Sequence, residues 1–496
     1  MSISDSVRKA IRNYLRIEEN TESISITVKQ LFDFEGQCFV NNLWYRGSAD
    51  ELSAFYKQFN DRLGNTNFWA SAPSKSVRVR KIHTGLPALI VDKLADVCTS
   101  DLYDIEAGDR TEEWEAIADE NNFKQLVKNA TRDVLIFGDG CFKFSYDADI
   151  SQLPIIEFFP GDRVEYEYRR GRLIGVIFKT EKYIKDSVYI LKERYTADGI
   201  SYSLEKADGK EVDLHSFEEF ANLEDITNKA KFMAAVPYMV KESAQYKGRG
   251  KSIYSGKLDN FDAFDEIVSH WLLAVRKGQI KEYIPESFIP RDIETGAMLE
   301  FSDFDNSFIS VAGDMSENGT RKIETTQGII QHEALLSTYC TILDLCLQGI
   351  ISPSTLGIDV KKLDNAEAQR EKEKTTLYTR DDVLAALEPV LKKVVSIALK
   401  FKDNLEMKVS DDVEVTVSFG GYANPAFEAQ VETIGKAAST NIMSIETQVD
   451  ELYGDSKDDE WKAAEVERIK IEKGIITVDE PGVNDEVKQR PIGFEG

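Results

Sequence analysis

Apolar residues recur at helical spacing through most of residues 1–130, which predicts a largely helical start to the chain. In the segment SADELSAFYKQFNDRLG the apolar side chains share one helix face, and Ser48 and Glu51 have the spacing of a capping box. A second helix is predicted over GLPALIVDKLADVC, and a third is predicted from Trp114 towards Phe137.

From Gly138 onward the apolar residues alternate with a period of two, which predicts strands. CFKFSYD alternates, and RVEYEYRRGRLIGVIFKTEKY predicts two strands joined by a turn at Arg170–Gly171. VYILKERYTADGISYSLEK predicts a second hairpin with its turn at Asp198–Gly199. The sequence therefore predicts a β-rich region over residues 138–240 and an α+β fold for the chain.

Two long helices are predicted on either side of an irregular segment. The first lies in SGKLDNFDAFDEIVSHWLLAVRKGQ, where apolar residues are spaced three, four, three and four apart: Phe261, Phe264, Val268, Trp271 and Val275. Such a seam suits packing against another long helix, although an ordinary core helix would show the same spacing. The segment 280–328 has turn signals at Thr295–Gly296 and Asn318–Gly319, so we expect a small α/β insertion there.

The second long helix lies in ALLSTYCTILDLCLQGIISPSTLGI, which carries a single charge, Asp344. Gly349 and Pro353 interrupt the segment after about fifteen residues, whereas a membrane-spanning helix needs about 20, so we do not expect a membrane span. The helix is apolar almost all round, at Leu335, Leu336, Tyr339, Ile342, Leu343, Leu345 and Leu347. A helix of this kind must be covered on several sides, and we expect neighbouring subunits to supply the cover.

A charged and then amphipathic helix is predicted after this segment, and Pro389 should kink or split it. DVEVTVSFG predicts a strand. Asn424–Pro425 has the residue types that begin a helix, further helices are predicted up to Gly474, and the tail VDEPGVNDEVKQRPIGFEG is predicted to be disordered.

The charge of the chain argues against a protein that grips duplex DNA through its phosphates, because such proteins carry a basic stripe. The 496 residues include 87 acidic and 61 basic side chains, for a formal net charge of −26. This acidity could also do no more than keep the protein soluble. The five cysteines lie far apart, which predicts reduced, buried thiols, and the four scattered histidines argue against a histidine-based metal site or triad.

No stretch of the sequence predicts catalysis. KGRGKS resembles a phosphate-binding loop, but the required first glycine is replaced by Gln245. YRRGR is most simply a basic hairpin turn, and the acidic pairs Asp381–Asp382 and Asp458–Asp459 lie at predicted helix starts, where the helix dipole favours them. We therefore expect neither an enzyme nor a bound cofactor or metal.

The order of these parts resembles the portal proteins of tailed bacteriophages, especially those of phages that infect Gram-positive hosts. Three phrases carry the resemblance: GRGKSIYSGKLDNFDAFDEI opens the first long helix, QGIISPSTLG ends the second, and NAEAQREKEKTTLYTRDDV follows. The likeness covers about residues 30–475 and rests on the order of elements, because this family has no short diagnostic motif.

The resemblance implies a portal fold in which each segment has a place. The parts are an α/β wing (1–255), stem helix 1 (256–279), a small α/β clip (280–328), stem helix 2 (329–349), a tunnel loop (350–365), a long helix and wing strand (366–423), a helical crown (424–475) and a flexible tail (476–496). The stem-packing residues would be Phe261, Phe264, Val268, Trp271, Val275, Leu335, Tyr339, Ile342, Leu343 and Cys346.

The function implied by the resemblance is that of a ring, usually of twelve copies, at one capsid vertex of the virion. Viral DNA is packaged through such a ring by a separate terminase and later leaves the same way. The implied partners are the large terminase subunit, the head–tail adaptor, the major capsid and scaffolding proteins, and double-stranded DNA that passes non-specifically. No membrane is involved, and assembly takes place in the host cytoplasm.

Acidity suits this function, because twelve copies would carry a formal charge of roughly −312 and a negative tunnel does not hold phosphates. Lys361 and Lys362, with Asp359 and Asp364 beside them, are the candidates for transient DNA contacts, or else they are solvated loop charges. Two other classes stay open. One is a different ring-forming virion protein, such as an adaptor or baseplate component, and the other is a DNA-translocating motor or nuclease.

Overall fold

The computed structural model describes most of the chain between residues 32 and 474. The described residues are 32–63, 67–71, 79–100, 102–184, 187–206, 209–220, 223–228, 230–285, 291, 308–311, 324–358, 366–408, 413–419, 434–439, 442–453 and 459–474. The chain divides into two compact units, Met1–Gly420 and Gly421–Gly496. Helices and sheets are mixed along the first unit, as expected for an α+β fold.

The N-terminal helices form where the apolar spacing predicts them. They are α1 (Phe34–Arg46), α2 (Ala49–Leu63) and α3 (Leu86–Thr99). The backbone N–H of Glu51 donates to Ser48 Oγ at 3.5 Å, so the side chain of Ser48 caps α2 as its spacing predicts.

The single helix predicted from Trp114 to Phe137 is wrong, because the chain forms two helices there. They are α4 (Thr111–Glu120) and α5 (Phe123–Phe137). Asn122 between them has a left-handed φ of 46°. The side chain of Asn121 donates to the carbonyl oxygen of Pro154 at 2.9 Å and accepts from the N–H of Ile156 at 2.7 Å. These bonds to a distant strand compensate for the interrupted helix, which the local pattern could not reveal.

The β-rich region forms two sheets. The strand β1 (Leu102–Glu106) precedes this region and belongs to neither of these sheets. The strands of the region are β2 (Asp139–Ser145), β3 (Ile155–Pro160), β4 (Val164–Arg169), β5 (Arg172–Ile184), β6 (Ser187–Thr196), β7 (Gly199–Lys206), β8 (Glu211–Val212), β9 (Ile226–Thr227) and β10 (Ala235–Met239). One sheet has the order β10-β2-β3, and the other is the meander β4-β5-β6-β7-β8, with β9 paired to β7. Both predicted hairpins are confirmed, and Arg170 and Gly171 have the positive φ values that a tight turn requires.

The two long helices are present and are shorter than predicted. They are α6 (Leu258–Lys277) and α7 (His332–Leu347). Between them, the described strands β11 (Ile280–Pro285), β12 (Phe308–Val311) and β13 (Glu324–Gln327) form a mixed sheet of order β12-β11-β13. The predicted turns at Thr295–Gly296 and Asn318–Gly319 lie outside the described residues.

Pro389 does not split the helix that contains it, so that part of the prediction is wrong. The helix α8 (Ala366–Leu405) has 40 residues, which corresponds to a length of roughly 60 Å. Pro389 lies on its exposed side, as does Ala385, whose carbonyl loses its helical partner and can be hydrated instead. After α8, the predicted strand is present as β14 (Thr416–Phe419), and it pairs antiparallel with β1.

The second unit contains helices among its described residues. They are a short segment at 434–439, α9 (Ile445–Tyr453) and α10 (Asp459–Glu472). The rings of Tyr453 and Trp461 meet edge to face at 4.9 Å, and Lys462 Nζ lies 2.9 Å from Asp450 Oδ1. The helix ends near Gly474 as predicted, whereas Asn424–Pro425 and the tail lie outside the described residues.

Two large hydrophobic cores support the first unit. The first core joins α1, α2 and α3 with one end of α6, one end of α7 and Val383 of α8. The second core joins α4, α5, the two sheets and the segment of α8 from Leu387 to Leu399. The helix α8 therefore contributes side chains to both cores.

Carboxylates on α6 fix this helix to the first core. Asp265 is almost fully buried and accepts from Thr84 N at 2.9 Å, from Thr84 Oγ1 at 2.8 Å and from Trp69 Nε1 at 3.3 Å. His83 Nδ1 lies 2.7 Å from the same carboxylate. One turn earlier, Asp262 accepts from the N–H of Phe68 at 2.8 Å, and burial raises the pKa of this carboxyl to about 6.

A buried ion pair joins the two sheets to α1. The guanidinium of Arg249 donates to both oxygens of Asp139 at 2.9 and 2.8 Å and to the carbonyl oxygens of Gly161 and Val164 at 2.5 and 2.8 Å. It also lies 3.8 Å from the ring centre of Phe34. Burial raises the pKa of the Asp139 carboxyl, and the charge of Arg249 opposes that shift.

Gly250, the residue after this arginine, must be a glycine for a steric reason. A Cβ at Gly250 would lie 2.0 Å from the carbonyl oxygen of Gly138, so only glycine permits the two backbones to come this close. The segment KGRGKS is thus a structural junction between the sheets and the segment that leads into α6.

We predict that Arg249→Leu lowers the free energy of unfolding by about 3–5 kcal/mol, because it leaves the carboxylate of Asp139 buried without its partner. Arg172→Leu removes an exposed arginine and serves as the control, with an expected effect within about 0.5 kcal/mol. Denaturant unfolding monitored by circular dichroism measures both effects. Equal unfolding midpoints for the two variants would contradict the prediction.

We also predict a pH-dependent contribution from Asp262. Its folded pKa of about 6 lies above the usual value of 3.8, so its contribution to stability is greatest at low pH and is lost as the pH rises through 6. The stability of the wild type relative to Asp262→Asn should therefore fall by about 1 kcal/mol between pH 5 and pH 7. Asp259→Asn, an exposed position in the same turn, is the matched control. A difference between wild type and Asp262→Asn that does not change with pH would exclude the effect.

Candidate subunit interface on a pair of helices

The helices α6 and α7 run antiparallel to each other. At one end, Lys257 Nζ donates to the carbonyl oxygens of Leu345 and Gln348 at 2.7 and 2.9 Å. At the other end, Gly278 lies against Ile330 so closely that a Cβ on this glycine would overlap the isoleucine side chain. The β11–β13 sheet follows directly from this second end, because it is inserted between the two helices.

One half of the pair is buried by the chain itself. Phe261 and Phe264 of α6 and Leu343, Cys346 and Leu347 of α7 are almost fully buried in the first core. Burial also raises the pKa of the Cys346 thiol to about 12, so this cysteine is a neutral thiol at neutral pH. The cover that α7 requires at these positions comes from its own chain and not from neighbouring subunits, which corrects the sequence-based expectation for this half.

The middle of the pair is held by aromatic contacts. The ring of Tyr339 lies 5.1 Å from the ring of Phe264 and 5.9 Å from the ring of Trp271. Tyr339 and Trp271 are only half-buried, as are Val268, Leu335 and Ile342. These side chains mark the point at which the cover supplied by the chain becomes incomplete.

The half near the inserted sheet keeps an exposed apolar surface. Val275 is 42% exposed and Ile329 is 95% exposed. Beside them lies an open cleft of about 440 Å³, lined by Ala274, Ile329, Ile330, Ala334, Leu335 and neighbouring residues. An apolar surface of this kind, rimmed by polar residues, is typical of a protein–protein contact.

A network of hydroxyl groups fixes the chain where it leaves α7. The N–H of Ser352 donates to Thr376 Oγ1 on α8 at 2.8 Å, and Ser352 Oγ lies 2.8 and 2.9 Å from the hydroxyl oxygens of Ser354 and Thr355. Ser352 and Thr376 are each 1% exposed. Gly349 has a left-handed φ of 75°, which ends the helical segment, so the turn after α7 is held against α8.

The predicted DNA-channel residues Asp359, Lys361, Lys362 and Asp364 lie outside the described residues. All ten predicted stem-packing residues lie on α6 or α7, and the two helices bring Phe264, Trp271 and Tyr339 together. Val275 is the member of the set that stays exposed.

Sequence reasoning missed the carboxylates Asp262 and Asp265, although both lie next to apolar seam positions of α6. An acidic residue beside a seam is the available signal, because it must either reach solvent or find buried donors. Among the described residues, no helix is long and apolar enough to cross a membrane, and no group of histidine, cysteine and acidic residues is arranged to hold a metal ion.

No family of known protein sequences matches the chain, and no curated protein matches it. Among solved structures, a chain of "Neck of native GTA particle computed with C12 symmetry" is similar with a TM-score of 0.40 and 10% identity, over 78% of this chain and 91% of that one. A chain of "Virion of native gene transfer agent (GTA) particle" has a TM-score of 0.37 and 11% identity, over 89% and 95%. A chain of "Neck of empty GTA particle computed with C6 symmetry" has a TM-score of 0.34 and 12% identity, over 75% and 92%.

Proposed function

We propose that this protein forms a portal ring at one vertex of a viral capsid, as the channel through which DNA is packaged and ejected. One observation carries the proposal: an antiparallel pair of helices is buried in its own core at one end, is apolar and uncovered at the other, and carries an inserted sheet there. This is the helix–insertion–helix order on which the resemblance to portal proteins rests.

The uncovered surface of the pair favours contacts between identical copies. Val275 is exposed near the end of α6 and Ile329 just before α7, so the apolar surface at this end is not confined to one side chain. Burying such a surface stabilises association by roughly 25 cal/mol per Å² of apolar area. Head-to-tail contacts between identical copies close into a ring when the rotation between neighbours permits it.

The route of DNA in this proposal follows the fixed turn after α7. Ser352 and Thr376 hold the chain on both sides of the segment that contains Lys361 and Lys362. In the ring these lysines face the passing DNA, and the acidity of the chain prevents DNA from being held tightly. The protein acts as a conduit without catalysis of its own, and the terminase supplies the energy.

The inserted sheet is the docking site for the large terminase subunit and the head–tail adaptor in this proposal. The major capsid and scaffolding proteins contact the remaining outer surface, and the protein is a component of the virion that assembles in the host cytoplasm. A different ring-forming virion protein would share the apolar pair, but it would not pass DNA. Electron microscopy of the purified protein tests the first step, because a portal gives end-on rings with a central hole.

We predict that Val275→Glu/Ile329→Glu dissociates the rings without unfolding the subunit. Both side chains are exposed in the single chain, so the charges are tolerated there, whereas an interface would have to bury them without partners. Sedimentation velocity measures the assembly, and thermal unfolding measures the fold. Ile226→Glu alters an apolar residue that is 53% exposed on β9 and serves as the control. Intact rings of the double variant at ordinary concentration would contradict the proposed interface.

Leu343 is unsuitable for this test, because it is 1% exposed in the core of its own chain and its replacement by Asp would unfold the subunit as well.

Deleting residues 295–320 and joining the ends with a short linker should leave ring assembly intact. The deletion removes β12 but keeps β11 and β13, which pair with each other directly. We expect the rings to lose binding of the terminase encoded by the same virus, measured by co-sedimentation. Replacing the same number of residues by a glycine–serine linker of equal length controls for spacing. Normal terminase binding by both variants would show that the docking site lies elsewhere.

A further inference from the structure

The hairpin β4–β5 ends in an exposed group of cations. Arg169, Arg170 and Arg172 are exposed at its turn, and none of them forms an ion pair with another residue in the described part of the chain. Lys247 lies near these arginines. The residue after it, Gly248, accepts a hydrogen bond at 3.2 Å from the hydroxyl of Tyr168, the residue before Arg169. We call these four side chains the basic tip. Such a concentration of positive charge is unexpected on a chain with a net charge of −26.

A cleft whose charged lining residues are mainly acidic, in contrast to the tip, lies between β1, α4 and the start of α5. Its volume is about 640 Å³, and its lining combines apolar residues such as Ile105, Trp114 and Ala118 with exposed carboxylates. The carboxylates are those of Glu106, Glu115 and Asp119, and one cation, Lys124, also lies in the lining. We call this the acidic cleft.

The basic tip does not reach the acidic cleft of its own chain, because β3 separates them. The acidic cleft lies near the start of β3, because Asn121 beside the cleft accepts a hydrogen bond from the N–H of Ile156. The basic tip lies near the end of β3, because Arg249 donates a hydrogen bond to the carbonyl oxygen of Gly161, the residue that follows this strand. Six residues of strand span roughly 20 Å, and the tip projects beyond that end.

We infer that the basic tip of one copy docks in the acidic cleft of the next copy around the ring. The inference rests on the proposed function and names a second contact between subunits, apart from the helix pair. Arginine guanidinium groups match carboxylates with two parallel hydrogen bonds, and the tip and the cleft each carry three of these groups. Tyr168 and Ile174 are 43% and 44% exposed beside the turn and face an apolar lining in the docked position.

A second copy fits this tip better than nucleic acid does. Each chain carries both a tip and a cleft, so every copy in a closed ring gives one contact and receives one. DNA would instead approach a protein whose overall charge repels phosphates. The contact is heterologous, so it fixes the direction in which neighbours follow each other around the ring.

Charge reversal with rescue tests this docking on the full chain. The variants are Arg170→Glu/Arg172→Glu in the tip, Glu115→Lys/Asp119→Lys in the cleft, and the combination of all four. Lys93→Glu/Lys231→Glu, a pair of exposed cations, is the matched control for the tip variant. Sedimentation velocity at several protein and salt concentrations measures the fraction in rings, and circular dichroism verifies the fold.

We expect the tip variant and the cleft variant each to require about tenfold more protein for half-assembly, since several exposed charge pairs are lost. The combined variant should return to within about threefold of the wild type, because the charges are again opposite. Added salt should weaken the wild-type ring more than it weakens the tip variant.

The docking is overturned if the tip variant assembles like its control, or if the combined variant assembles no better than the single-site variants. It is also overturned if the tip variant keeps its rings but loses binding to a DNA duplex, which would assign the tip to nucleic acid. A wild type that stays monomeric contradicts the proposed function itself. Rings that are lost in Val275→Glu/Ile329→Glu but kept in the tip variant contradict only the docking.

Discussion

The constraint on which this structure depends is the need to cover a nearly uncharged helix along its whole length. Apolar residues occupy most positions of α7, with Ser337, Thr338, Thr341 and Asp344 on its exposed side, and the chain covers only the half that lies in the first core, around Leu343 and Leu347. The other half leads to the inserted sheet and leaves apolar residues in contact with solvent. A single copy therefore satisfies half of its own packing requirement, and a second copy is the simplest source of the remainder.

Buried polar groups set the position of this helix pair more firmly than apolar packing alone. Asp265 gathers three donors from two separate loops, and such directional bonds permit one placement of α6 rather than many. Arg249 does the same for the two sheets, since it donates two hydrogen bonds to a carboxylate and two to carbonyl oxygens. The exposed half of the pair is thus held on a rigid base.

Local patterns predicted the elements well and the tertiary contacts poorly. The alternation around Arg170–Gly171 and the spacing around Ser48 depend on neighbours in sequence, so the hairpin and the helix cap were predictable. The break at Asn121 depends on β3, 33 residues away, and the role of Arg249 depends on Asp139, 110 residues away. No local pattern contains such partners, and KGRGKS therefore suggested a phosphate loop rather than a junction. At the candidate site, the apolar seam was predictable, but the division into a buried half and an exposed half was not.

Helix α8 has a mechanical consequence through Pro389. Val383 packs in the first core and Leu387 in the second, so the helix passes from one core to the other near the carbonyl of Ala385, which the proline leaves without a helical donor. Bending at that point breaks one hydrogen bond fewer than bending elsewhere in the helix. The crossing between the two cores is therefore the point at which α8 bends most easily, while α5, which also contributes to both cores, and the Arg249–Asp139 pair hold the cores together.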